Sequence, residues 1–234
     1  MTDNPHNRVV LVSGASRGIG AAVAKHLAGS GWLVSLGMRK PEALEGIDEA
    51  RCQLVRHDAL QADEADWVGR AMERFGRIDG LVCCAGIMIP ETVISIEEEA
   101  LERMWQVNVA SPRRLIKAAW EPLCAAGNGR VVVLASLSGK RAKTAGSGAY
   151  AMTKHAALAM TQGVRLAGWD EGVRATAICP GFVATDMARA ITDYPENEMS
   201  QPEDMAAMVA FALNAPAFSS PSEITVNCQK EGLF

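Results

Sequence analysis

The chain has 234 residues, 49% hydrophobic and 21% charged, with a net charge of −4, which suits a single domain spanning 1–234 with one sizeable core. Mild acidity without a long run of Lys and Arg excludes the electrostatic footprint of a nucleic-acid or anionic-membrane partner. The start, MTDNPHNRVVLVSG, lacks the apolar centre of a signal peptide, and no apolar stretch approaches a bilayer's thickness, so a cytoplasmic protein is expected.

The first strand-like run is RVVLVS, and the turn Ser13-Gly14-Ala15-Ser16-Arg17-Gly18-Ile19-Gly20 follows it directly. Ile19, Ala22, Val23 and Leu27 then lie on one helical stripe. A glycine-rich turn between a strand and a helix is where the pyrophosphate of a dinucleotide is held, by free N–H groups and the helix dipole. The spacing here is G-x-x-x-G-x-G rather than the commoner G-x-G-x-x-G.

WLVSLG is the second strand, ending in Met38-Arg39-Lys40 with no acid. At this point of such a fold an acid grips a ribose 2'-hydroxyl and repels a 2'-phosphate. Arg39 and Arg17 instead predict a 2'-phosphate, hence NADP(H), because a guanidinium fork matches phosphate oxygens and such a contact contributes about 1.5–3 kcal/mol.

QLV and GLVCCA read as further strands, followed by a helical stretch near 97–125, the strand RVVVLAS, a helix near 149–168 and the strand VRATAIC. Segment 184–202, with Asp193, Tyr194, Pro195, Glu196 and Asn197, has poor periodicity and is predicted to be a substrate loop. EITVN is the last strand. Strands alternating with helix-length crossovers predict a doubly wound, Rossmann-like α/β fold, a parallel sheet of about seven strands with helices on both faces.

Tyr150 and Lys154, four residues apart on a helix, share a face, and an adjacent cation favours the phenolate and lowers the tyrosine pKa. Ser136 ends the fifth strand and is placed to donate to a substrate oxygen, with Ser138 a rival at this level. Six cysteines show no C-x-x-C pair and four histidines no H-E-x-x-H, so no metal is expected. The cysteines read as reduced and mostly buried, the adjacent Cys83 and Cys84 as small thiols at a strand end rather than a redox or metal pair.

The turn from Gly14 to Gly20, Ser136, Tyr150 and Lys154, in this order along nearly the whole chain, resembles the short-chain dehydrogenase/reductase family. The resemblance implies hydride exchange between NADP(H) and a carbonyl or secondary alcohol, with Tyr150 as acid/base, Ser136 holding the oxygen and Lys154 on the nicotinamide ribose. It selects Ser136 over Ser138 through Ser136-Leu137-Ser138-Gly139, and implies that Asn108 holds a water behind the lysine. It also implies that Asp58 meets the adenine, and that Pro180-Gly181-Phe182-Val183-Ala184-Thr185 carries the carboxamide contacts. The family's Asn-Asn-Ala-Gly is here Cys83-Cys84-Ala85-Gly86, which removes amide hydrogen bonds but leaves backbone contacts at Ala85 and Gly86. The C-terminal Glu223-Ile224-Thr225-Val226-Asn227-Cys228 lacks the paired glycines common after the last strand. A homodimer or homotetramer is the assembly the resemblance implies.

The other readings are an NAD-dependent alcohol dehydrogenase, disfavoured by Arg39, and a non-catalytic dinucleotide sensor, disfavoured by retention of Ser136, Tyr150, Lys154 and Asn108. Met88, Ile89, Phe182, Met187 and Ile191 would line an apolar substrate pocket, and Lys140, Arg141 and Lys143 would attract an acidic acyl carrier.

Overall fold

The computed structural model describes residues 8–230. Its strands are β1 (Val9–Ser13), β2 (Leu33–Met38), β3 (Cys52–Arg56), β4 (Gly80–Cys83), β5 (Arg130–Leu134), β6 (Arg174–Pro180) and β7 (Glu223–Val226). Its helices are α1 (Gly18–Gly29), α2 (Glu64–Phe75), α3 (Glu98–Trp105), α4 (Ser111–Ala118), α5 (Trp120–Ala125), α6 (Gly148–Ala167), α7 (Asp186–Arg189) and α8 (Pro202–Asn214). All seven strands pair in parallel in the order β3-β2-β1-β4-β5-β6-β7, as the alternation in the sequence implies. The order reverses between β1 and β4, and in such sheets ligands bind beyond the strands' carboxyl ends at that reversal.

The strands read as unbroken apolar runs because both faces are covered. Val10, Val12, Val34, Leu36 and Val132 face the layer of α1 and α8, in one core with Val23, Leu27, Met205 and Val209. Val9, Leu11, Leu81, Val131 and Val133 face the other layer, with Trp67 of α2, Leu115 of α4 and Ala157 of α6. Burying a Val or Leu side chain contributes about 1.5–3 kcal/mol, so this two-sided core fixes the register of the central strands.

Two segments differ from the sequence expectation. The stretch 97–125 is not one helix: a π-type turn (Gln106–Ala110) separates α3 from α4, and α5 follows after Ala119. Pro112, in the first turn of α4, has no N–H to return to the Asn108 carbonyl four residues back, so the regular ladder cannot run through. Segment 184–202, read as a substrate loop, carries the short helix α7 within it. Thr185 caps α7, its Oγ1 accepting from the Ala188 N–H at 3.5 Å, and Val183 bridges to Ser200. Among the described residues no helix is long and apolar enough to cross a membrane.

Candidate active site

The glycine turn hangs from β2, with the N–H groups of Gly14 and Ala15 donating to the Gly37 carbonyl at 3.1 and 3.4 Å. Gly14 has φ +66°, a conformation that side chains disfavour. A Cβ on Gly20 would fall 2.2 Å from the Gly14 carbonyl oxygen, so only glycine lets α1 start this close to the turn. Arg17 is the extended N-cap of α1 and the first turn holds no acid, which leaves the N–H groups and positive end of the helix to an anion.

Gly14, Ser16, Arg17, Gly18, Ile19 and Gly20 line a cleft of about 560 Å³, together with Arg39, Asp58, Ala85, Gly86 and Thr185. Arg39 stands exposed just beyond β2, whereas the Arg17 guanidinium is taken by Asp186 of α7 at 2.8 Å. The two arginines border the same cleft, but Arg17 is turned across its mouth. Asp58 accepts from the Leu60 N–H at 3.1 Å, and the Ala85 N–H donates to Ser13 Oγ at 3.3 Å.

A second cleft, about 540 Å³, contains Ser136, Tyr150, Lys154, Pro180, Gly181 and Val183. Ile19, Cys84, Gly86, Thr185 and Met187 border both clefts, so the two spaces adjoin. Ser136 caps the short turn 137–139, its Oγ accepting from the Ser138 N–H at 3.1 Å. Tyr150 is 7% exposed, and burial pushes its phenol up to about 12, against a downward pull from a hydrogen bond with the Ser136 side chain. That pairing separates Ser136 from Ser138.

Burial is the dominant influence on the phenol, and the Lys154 Nζ lies 5.6 Å from the Tyr150 ring centroid. Lys154 itself is 4% exposed and donates to the Leu134 carbonyl at 2.7 Å. Burial pulls its ammonium down to about 8, with Cys179, Cys84 and Cys83 acting in the opposite direction.

Asn108 is buried rather than facing either cleft. Its Oδ1 accepts from the Ile87 N–H, and its Nδ2 donates to the Ile87 carbonyl and to Thr153 Oγ1, each at 2.9 Å. A Cβ on Gly86 would lie 3.5 Å from Asn108 Oδ1 and 3.6 Å from Lys154 Nζ, so the chain after β4 passes beside both at ordinary contact distance.

The model of the short chain dehydrogenase family matches residues 8–196. The chain belongs to this family. Agropine synthesis reductase of Rhizobium rhizogenes is 39% identical over 230 residues, 96% of this chain but 53% of that protein, so this chain spans about half that relative's length. A short chain dehydrogenase of Burkholderia cenocepacia, solved in complex with NADP, superposes with TM-score 0.84 at 27% identity, covering 97% of this chain and 98% of the other. An alcohol dehydrogenase of Thermococcus sibiricus, complexed with 5-hydroxy-NADP, reaches TM-score 0.86 at 27% identity, covering 97% and 99%.

Several sequence expectations for this chain move. Met88, Phe182, Met187 and Ile191 do line the second cleft, but Ile89 packs instead beside Met104, Ala149 and Tyr150, its N–H on the Met104 sulfur at 3.4 Å. Lys140 pairs with Glu223, while Arg141 and Lys143 line the second cleft. Of the free cysteines only Cys83 and Cys179 are buried, and the other four are partly exposed. The sequence reading passed over Thr153, fully buried beneath Asn108, whose signal was its place between Tyr150 and Lys154. It also passed over Asp186, an ordinary acid in the sequence until the fold brings it to Arg17.

Proposed function

We propose that the chain is an NADP(H)-dependent carbonyl reductase, with Tyr150 as the proton donor. The observation that carries this reading is the meeting of Ser136, Tyr150 and Lys154 on the wall of a cleft that adjoins the glycine-lined one. The first cleft fits a dinucleotide phosphate: a helix start without acids, a close-packed glycine turn and Arg39 beyond a strand that ends without a carboxylate. Gly14 to Gly20 would hold the pyrophosphate, Arg39 and Arg17 the 2'-phosphate, Asp58 the adenine side, and Pro180 to Thr185 the nicotinamide side. Arg17 would then exchange Asp186 for phosphate.

When bound, the reduced nicotinamide supplies a hydrogen with its electron pair to the carbonyl carbon. As charge grows on the carbonyl oxygen, Ser136 Oγ donates a hydrogen bond to it and Tyr150 transfers its proton there, leaving the alcohol and a phenolate. A phenol held near 12 is fully protonated at neutral pH, the form that reduction consumes. The Lys154 ammonium stabilises the phenolate as it forms and relays the returning proton. The Asn108 side chain is spent on Ile87 and Thr153, so a water in that relay would be held by its main-chain carbonyl, which Pro112 leaves without a helical donor.

The test is a Tyr150→Phe variant assayed with NADPH and with NADH against ketones, aldehydes and quinones. Rates should fall by roughly 10²- to 10⁴-fold while NADPH still binds. An unchanged rate removes Tyr150 from the chemistry, and a preference for NADH removes Arg39 from cofactor choice.

A further inference from the structure

The second cleft carries charge of one sign. Arg141, Lys143 and Lys154 line it, and no Asp or Glu does among the described residues, in a chain whose net charge is −4. Lys154 is committed to the Leu134 carbonyl beside Tyr150. Arg141 and Lys143 come from the segment between the turn after β5 and α6, where Lys143 is exposed at the cleft mouth.

The neighbouring cations are treated differently. Lys140 is neutralised by Glu223. Lys143 gives its ammonium to the Gln229 amide oxygen at 2.8 Å and lies 5.8 Å from the centroid of the Phe182 ring. Neither neighbour carries a charge, and an ammonium has three donors, so two remain for a ligand. Met88, Leu137, Met187 and Ile191 add apolar wall to the same cleft, beside the hydroxyls of Ser138, Thr144 and Thr192. A cleft with low-dielectric walls and one sign of charge focuses its field on a ligand of the other sign.

We propose that this cleft selects an anionic substrate: a carbonyl compound with an apolar body and a carboxylate, held by Lys143. The inference rests on the reductase reading of the same site and names its substrate class. A small acid fits better than an acidic carrier protein, because pairing with Glu223 takes Lys140 out of the outward basic patch and the two other cations line the cleft itself.

The probes are levulinate and its homologues one and two carbons longer, each beside its methyl ester, added to the NADPH-bound protein. Binding is read by calorimetry and turnover by NADPH oxidation. At least one acid should bind about ten-fold tighter than its ester, and salt should shrink that ratio. Lys143→Ala should bring the ratio close to one, Lys143→Glu should invert it, and Lys143→Arg should keep it. Equal binding of acids and esters, no binding of any acid, or a ratio that survives Lys143→Glu overturns the inference. So does a carrier-bound acyl thioester that outcompetes every free acid, which assigns Lys143 to protein docking. NADPH oxidation with esters but no preference for acids sinks the anion inference and leaves the reductase reading standing. Charge-selective binding with no oxidation of NADPH does the reverse.

Discussion

The two edges of the sheet both bury cations, and they treat them in opposite ways. At the amino edge, Arg130 opens β5 and Arg174 opens β6, at 2% and 4% exposure. Arg130 donates to the Gly129 and Ala215 carbonyls at 3.0 and 3.1 Å, and Arg174 to those of Ala217, Trp169 and Val173 at 3.0, 2.8 and 2.9 Å. Arg165 adds bonds to Ala175, Ser220 and Pro221, and the Arg174 guanidinium lies 3.8 Å from the centroid of the Trp169 ring. Loops and helix ends leave carbonyls without partners there, and a guanidinium has five donors in a rigid fork to collect them. At the carboxyl edge Lys154 is equally buried, yet it is anchored by one carbonyl and opens on a cleft. Burial pulls both kinds of cation below their ordinary pKa, and for Arg130 the guanidiniums of Arg174, Arg8 and Arg165 add to the effect. Bonded to carbonyls of several loops, the arginines tie chain segments together, whereas Lys154, with one carbonyl partner, keeps donors beside the cleft.

Breaking each end should therefore produce opposite phenotypes. Lys154→Met is expected to lower kcat/KM by roughly 10²-fold or more while the melting temperature holds or rises, since an apolar chain replaces a buried charge. A several-degree fall in melting temperature with activity intact would make Lys154 a structural tie and erase the contrast. Arg130→Met strands the Gly129 and Ala215 carbonyls, at about 1–3 kcal/mol for each buried group left unpaired. Its urea midpoint should drop while kcat/KM for any substrate stays within about two-fold, an outcome expected of a staple remote from the site. Loss of activity in the folded Arg130→Met protein would show that the two edges are coupled.

The same contrast explains what the sequence makes legible. The sheet could be read because each central strand is apolar on both faces, and the turn and the Tyr150–Lys154 pair because their chemistry sits within a few neighbouring residues. What stayed hidden depends on contacts distant in sequence. Asp186 meets Arg17 across 169 positions, and Asn108 meets Thr153 across 45. Arg130 and Arg174 carry no local signal of their partners, the carbonyls of Ala215 and Ala217, which lie 85 and 43 positions away. The break at 106–110 was signalled by Pro112, yet the surrounding helical period masks it. The pairing of Tyr150 with Lys154 was legible from spacing, but the burial that dominates the Tyr150 phenol is encoded by no spacing.

The smallest effect sharpens the comparison at the Lys154 end. Its ammonium titrates near 8 in the folded protein against an ordinary 10.5, so between these values the folded chain binds fewer protons than the unfolded one, and stability rises with pH across that window. The slope is at most about 1.4 kcal/mol per pH unit. Cys83, Cys84 and Cys179 run the other way: burial raises their thiols from 9.0, so the stability they confer is lost as pH climbs past 9. Subtracting Lys154→Met from the parent cancels the thiols and isolates the lysine. The variant's advantage in melting temperature should be widest at pH 7, where the parent carries the full cost of a buried ammonium, and should narrow steadily above pH 8. A gap that widens with pH would mean that the charged lysine is stabilised by its surroundings, and the carboxyl edge would then hold its cation as firmly as the amino edge holds Arg130.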